Sequence, residues 1–195
     1  MSHYYSEKPD SQLKLRNVTG IIRGNELKFY LASGVFSSKK IDKGALLLAN
    51  SAHIKEGSRV LDLGCGNGII GIAVARACPG CKVVMADINE RAVKTAKLNI
   101  KLNNASNALA IKSDGFQEIK SKFDVVLFNP PQTAGKELCH KLIRESKNFL
   151  DKGGTLQLVA RHNKGGKSLN SFMQEVFGGS VVIQRSGGYR VYANA

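Results

Sequence analysis

The sequence is poor in acidic residues and in cysteine, and it has no long apolar run. Its 195 residues hold 15 Asp and Glu against 29 Lys and Arg, a net charge of +14 and a pI near 9.8. No stretch approaches the roughly 18 apolar residues that a membrane helix needs. The opening MSHYYSEKPD has no apolar core of the kind a secretion signal carries. A cytoplasmic protein without a membrane span is therefore expected. Four cysteines (Cys65, Cys78, Cys81 and Cys139) are too few for a disulfide scaffold at this length. No repeat, low-complexity segment or linker divides the chain.

The shortage of acid is spread evenly. Residues 1–57 have nine basic against five acidic side chains, residues 58–135 ten against six, and residues 136–195 ten against four. No detachable basic tail accounts for the surplus. A dispersed positive charge suits a broad phosphate-facing surface and points to a nucleic-acid partner. At 43% hydrophobic residues the chain can still bury a full core.

From Arg59 onward, short apolar runs alternate with amphipathic stretches, the pattern of a parallel sheet covered by helices. Strands are expected at Arg59–Leu63, Lys82–Asp87, Leu109–Lys112, Phe123–Phe128, Thr155–Ala160, Val181–Arg185 and Tyr189–Ala193. Helices are expected at Ile69–Ala77, Glu90–Asn103, Lys136–Leu150 and Lys167–Phe177, where apolar positions recur at three and four residues. Only Ser186, Gly187 and Gly188 separate the last two strands, too few for a crossover and enough for an antiparallel hairpin. The expected architecture is α/β and Rossmann-like: a seven-stranded, mostly parallel sheet with an antiparallel last strand and helices on both faces. Before it, Leu27–Leu31 reads as strand and Ala45–Ser51 as helix. Residues 1–57 are thus expected to form a cap on the same domain as the core, 58–195.

The segment VLDLGCGNG (Val60–Gly68) is an apolar strand running into a glycine turn that opens a helix. Gly64 and Gly66 let a ligand lie against bare backbone, and at Cys65 only a small side chain fits. Asp62 stands just before the turn, where it would repel a pyrophosphate but favour a cationic aminoacyl group. Asp87 ends the next strand about twenty residues on, the distance at which an acid takes ribose hydroxyls. Ile88 beside it would wall the adenine ring. Asp114, followed by Gly115, ends the third strand and would accept from the adenine amino group. A lone Asp at a strand end is commonly a cap or a turn residue. Three at successive strand ends converge on the crevice where open parallel sheets bind ligands, and the ligand they suit is S-adenosylmethionine.

After the fourth strand comes LFNPPQTAG. An amide or aniline-like nitrogen delocalises its lone pair and is a poor nucleophile. The Asn129 side-chain oxygen and the Pro130 carbonyl, stiffened by Pro131, would accept its two N–H groups and turn the lone pair toward a methyl donor.

Together, SGVFSSKKIDKG, VLDLGCGNGIIGI, ADIN, SDGF, FNPPQTAG and GGYRV resemble the methyltransferase small-domain family, from about residue 20 to the C-terminus. That family includes enzymes that methylate guanine N2 in small-subunit ribosomal RNA. The resemblance implies the class I methyltransferase fold, with cofactor contacts at Asp62, Gly64, Gly66, Asp87, Ile88 and Asp114 and a catalytic turn at Asn129, Pro130 and Pro131. It also implies that Phe36 and the SKKIDKG segment close the cofactor pocket. Two positions depart from the family pattern. Gln132 stands where many relatives have a Phe or Tyr able to stack on the target base, and Ala45 stands where many have Thr or Ser. Full-length bacterial enzymes of this type resemble a duplicated pair of such domains, and this chain corresponds to the active half.

The implied substrate is ribosomal or transfer RNA, with guanine N2 foremost. Alternatives are a protein glutamine amide, or RNA binding without catalysis. Arg161, Lys164 and Lys167 in RHNKGGK, with Arg190 in the last hairpin and Gln132, are candidate RNA contacts. Cys78-Pro79-Gly80-Cys81 reads as a helix stop, although with Cys139 and His140 it has the makings of a metal site. No metal is expected, and the sequence is silent on oligomeric state.

Overall fold

The computed structural model describes residues 12–131 and 135–195. A two-stranded hairpin, β1 (Leu15–Ile22) and β2 (Asn25–Ala32), leads into α1 (Lys43–Ser51). The central sheet follows: β3 (Arg59–Leu63), β4 (Lys82–Asp87), β5 (Ala108–Lys112), β6 (Phe123–Phe128), β7 (Leu150–Arg161), β8 (Ser180–Ser186) and β9 (Tyr189–Asn194). Between the strands run α2 (Ile69–Ala77), α3 (Glu90–Leu102), α4 (Lys136–Ser146) and α5 (Lys167–Phe177).

The seven strands lie in the order β5-β4-β3-β6-β7-β9-β8. Every pairing from β5 to β7 is parallel, and β9 runs antiparallel to both β7 and β8. The reversed last strand expected from the three-residue connection is therefore wedged between two strands of the other direction. Alternation along the strands divides the core in two. Val60, Val125, Leu127 and Val159 face α1, α2 and α3, whereas Leu61, Leu63, Phe128 and Leu158 face α4 and α5. Helix α2 presses so closely on β4 that a Cβ at Gly71 would come within 2.5 Å of Met85.

The cap is held by amides. Arg23 and Gly24, both at positive φ, form the two-residue turn of the β1–β2 hairpin. On α3, Asn99 accepts from the Tyr30 backbone N–H (2.8 Å) and donates to the Tyr30 carbonyl (2.9 Å). One turn later Asn103 does the same to Lys28 (3.0 and 2.7 Å). Four residues of helix rise about 6 Å and two residues of strand about 6.7 Å, so the helix presents two amides in register with the edge of β2. Asn67, in the glycine turn, accepts from Ala32 N–H and donates to the Phe36 carbonyl. Asn89 caps α3 and donates to the Gly34 carbonyl. All four asparagines are buried.

Several expectations need correction. Strand β1 is an addition to the expected elements: only Ile22 on it is fully buried, so it carries no apolar run. The helix expected through Leu150 stops at Ser146. A single 3₁₀ turn follows (Lys147–Phe149), in which Phe149 stacks on Phe116, and β7 already begins at Leu150. Cys78 and Cys81 are joined in a disulfide, which a count of four cysteines had discouraged. It closes only the turn after α2, where Glu56 accepts from Gly80 N–H and Asn107 donates to the Ala75, Cys78 and Cys81 carbonyls. Cys139 is buried on α4, and His140 stacks on Phe172. Among the described residues no group of three His, Cys, Asp or Glu could hold a metal, and no helix is long and apolar enough to cross a membrane.

Candidate functional site

A cleft opens along the carboxyl edge of β3, β4, β5 and β6, and the cap's Val35–Asp42 segment and α1 close its near side. Its walls include Phe36, Gly64, Cys65, Gly66, Asp87, Ile88, Asp114, Gly115, Asn129, Pro130 and Pro131. Gly64 and Gly66 sit at φ +68° and +55°, where an L side chain is strained, and a Cβ on Gly64 would have nothing within 4 Å. The turn thus offers bare backbone to the cleft.

Asp87 stabilises that turn. One carboxylate oxygen accepts from Gly66 N–H and the other from Asn89 N–H, at 2.8 and 2.9 Å. Burial still pushes its carboxyl above the ordinary range, and these two N–H groups pull it back. The Cys65 thiol is pushed well up by burial and by the charges of Asp87 and Asp62, so it stays neutral in the wall.

Asp62 is absent from the cleft wall. On β3 it shares a face with Val60, which turns it under α2, where Oδ2 accepts from Gly71 N–H at 2.8 Å. Its Oδ1 is buried without a hydrogen-bond partner among the described residues. Burial raises its pKa to about 7, helped by the charge of Asp87 and opposed by the Gly71 N–H.

Sequence reasoning did not single out Asp42, at the N-terminus of α1. Its Oδ2 accepts from Ala45 N–H at 2.8 Å and from the Asn129 side-chain amide, Nδ2, at 3.3 Å. The available signal was an Asp just before an apolar helical run, the mark of an N-cap.

The candidate RNA contacts lie outside the cleft wall, except that Gln132 lies outside the described residues. Arg161 ends β7 and sits over the Tyr189 ring, 5.2 Å from its centroid. Lys164 belongs to an irregular turn, His162–Gly166, and Lys167 opens α5. Arg190 on β9 faces Arg185 directly across the β8–β9 ladder. Like charges so opposed are destabilising, and Arg185 was not anticipated. Partial burial, together with Arg190, Lys167 and Arg185, holds the His162 imidazole below its ordinary pKa. This basic rim meets the cleft at Gly44, where a Cβ would lie 2.9 Å from Asp42 Oδ2 and 3.0 Å from the Tyr189 ring.

A model of the methyltransferase small domain matches residues 26–193. The chain belongs to the methyltransferase small-domain family. It is 34% identical to YbxB, an uncharacterized protein of Bacillus subtilis, with 97% of this chain and 96% of that one aligned. It is 31% identical to ribosomal RNA small subunit methyltransferase C of Haemophilus influenzae, covering 86% of this chain and 51% of the relative. Among solved structures, the T. thermophilus 16S rRNA N2 methyltransferase RsmC, in complex with AdoMet and guanosine, superposes with a TM-score of 0.80 at 26% identity. That match covers 95% of this chain and 51% of the other. The chain spans about half the length of these ribosomal RNA methyltransferases. By family and fold it is an S-adenosylmethionine-dependent methyltransferase.

The cleft suits that cofactor chemically. Asp42, Asp87 and Asp114 line it against one basic residue, Lys40, among the described lining residues. In a chain of net charge +14, this is a local reversal of sign that favours a cationic ligand over a phosphate.

Proposed function

We propose that the protein methylates an exocyclic amino group of RNA, foremost guanine N2 of ribosomal RNA. The observation that carries this reading is the Asn129 amide at the end of β6, held against Asp42 in the wall of an acidic cleft. Asp87 takes the ribose hydroxyls, Ile88 and Phe36 enclose apolar parts of the cofactor, and Asp114 accepts from the adenine amino group. Asp62 serves from beneath, fixing the start of α2 through Gly71. When bound, S-adenosylmethionine supplies a sulfonium-activated methyl group. Asn129 Oδ1 and the Pro130 carbonyl accept the two N–H groups of the target amine and orient its lone pair. Pro130 and Pro131 hold the turn rigid, and no strong base is required because the proton leaves late.

The rim made by Arg161, Lys164, Lys167, Arg185 and Arg190 supports RNA as the substrate. An anionic backbone would relieve the opposed Arg185 and Arg190 pair, and phosphate contacts would position the target nucleotide over the cleft. The guanosine bound by the T. thermophilus relative supports guanine. In this reading residues 12–57 are a cap on a cytoplasmic catalytic domain, and residues 1–11 of the expected cap lie outside the described residues.

Incubation with tritiated S-adenosylmethionine and separated RNA and protein fractions tests the proposal. Label should enter RNA and map to N2-methylguanosine. Label in protein alone, on glutamine, would overturn the RNA reading.

A further inference from the structure

The contact between Asp42 and Asn129 joins two parts of the fold that are far apart in the chain. Asp42 begins α1 in the cap, and Asn129 leaves the end of β6 in the core. A carboxylate only accepts hydrogen bonds, so the end of the Asn129 amide that faces it must be Nδ2. The carbonyl oxygen Oδ1 is thereby left for the cleft. One atom, Asp42 Oδ2, does this and also caps α1 by accepting from Ala45 N–H. Space for the carboxylate is kept by Gly44, where a Cβ would lie 2.9 Å from Oδ2.

We propose that Asp42 is the positioning residue for the catalytic amide, setting which face of Asn129 meets the target amine. The proposal rests on the reading of Asn129 as the acceptor of the methylated nitrogen. Without Asp42, the amide is free to turn Nδ2 toward the substrate and present a donor to a donor.

Capping and positioning can be separated by the length of the side chain. Ser caps a helix about as well as Asp but is too short to reach Asn129, whereas Asn keeps one oxygen in place for both partners. Single-turnover transfer of tritium from S-adenosylmethionine to total RNA, at saturating cofactor, gives the readout beside the melting temperature and the cofactor Kd. Asp42→Ser is expected to lose about 10- to 100-fold in rate at saturating cofactor while its melting temperature stays near wild type, and Asp42→Asn, which removes the same charge from the cleft and so shares any rise in cofactor Kd, should recover most of the lost rate. Should Asp42→Ser melt early, Asp42→Thr repeats the test with another short capping residue. Wild-type rate in the short variants overturns the proposal, and so does an Asp42→Asn variant as slow as Asp42→Ser. Asn129→Ala distinguishes the two levels. If it transfers methyl normally, the reading of Asn129 itself falls. If it is inactive while Asp42→Ser is active, only the role of Asp42 falls.

Discussion

The cleft and its rim lie side by side on one sheet edge and carry opposite charge. Within the cleft stand Asp42, Asp87 and Asp114, and along the rim Arg161, Lys164, Lys167, Arg185 and Arg190. Tyr189 and Gly44 form the seam between them. A surface that changes sign over so short a distance suits two ligands of opposite charge. In the proposed reading the cationic one is held inside, and the anionic one is laid across the mouth.

That division makes mutational effects separable. The largest expected effect is on chemistry alone: Asn129→Ala should lower the rate of methyl transfer by about 100- to 1,000-fold with the cofactor Kd unchanged. A weakened Kd there would make Asn129 structural and blur the boundary. Next, Asp87→Ala should weaken cofactor binding by about 10- to 100-fold, the worth of hydrogen bonds to a charged group, measurable by calorimetry with RNA affinity intact. On the rim, Arg185→Ala and Arg190→Ala should each lower the slope of log K against log salt for RNA by about 1, without touching the cofactor Kd. An unchanged slope would remove the rim from RNA binding.

The smallest effect concerns the acid that faces neither ligand. Asp62 has a folded pKa of about 7, against an ordinary value of 3.8. Between those values the native state holds the proton more tightly than the unfolded chain does. Stability from this group therefore falls as pH rises from about 4 to 7 and is flat above that. Asp62→Asn should remove this slope from the melting temperature across that window, and a slope that persisted would assign it to other groups.

Much of this was legible in the sequence, for identifiable reasons. Strands β3, β4 and β6 are buried on both faces and read as short apolar runs, and α2, between the glycine turn and Pro79, has its bounds written in the chain. The three strand-end acids were visible too, but the orientation of Asp62 required counting alternation from Val60. The anchoring of the cap was not legible. Asn67, Asn89, Asn99 and Asn103 look like surface residues in sequence, and their burial depends on backbone groups 31 to 75 residues away. Strand β1 escaped notice because its outward positions, including Ile21 at 77% exposure, break the expected alternation. In the sequence Asp42 marks only a closing segment, since its tie to Asn129 spans 87 residues.

The amide ladder on β2 also governs how the cleft is bounded. The hairpin is pinned along its length to α3, and Arg91 adds a hydrogen bond to the Ser33 carbonyl. At the far end of the hairpin, Arg23 ties its turn to Asn50 and to the Ala49 and Ala52 carbonyls at the end of α1. The hairpin is thus fastened along its edge to the body and at its turn to α1. What lies between is a tether of a few residues, about 35 to 42, which bears Phe36 and Asp42 in the cleft wall. One short connection therefore carries a wall of the cleft and the carboxylate that meets the Asn129 amide, with its Phe36 carbonyl held by Asn67.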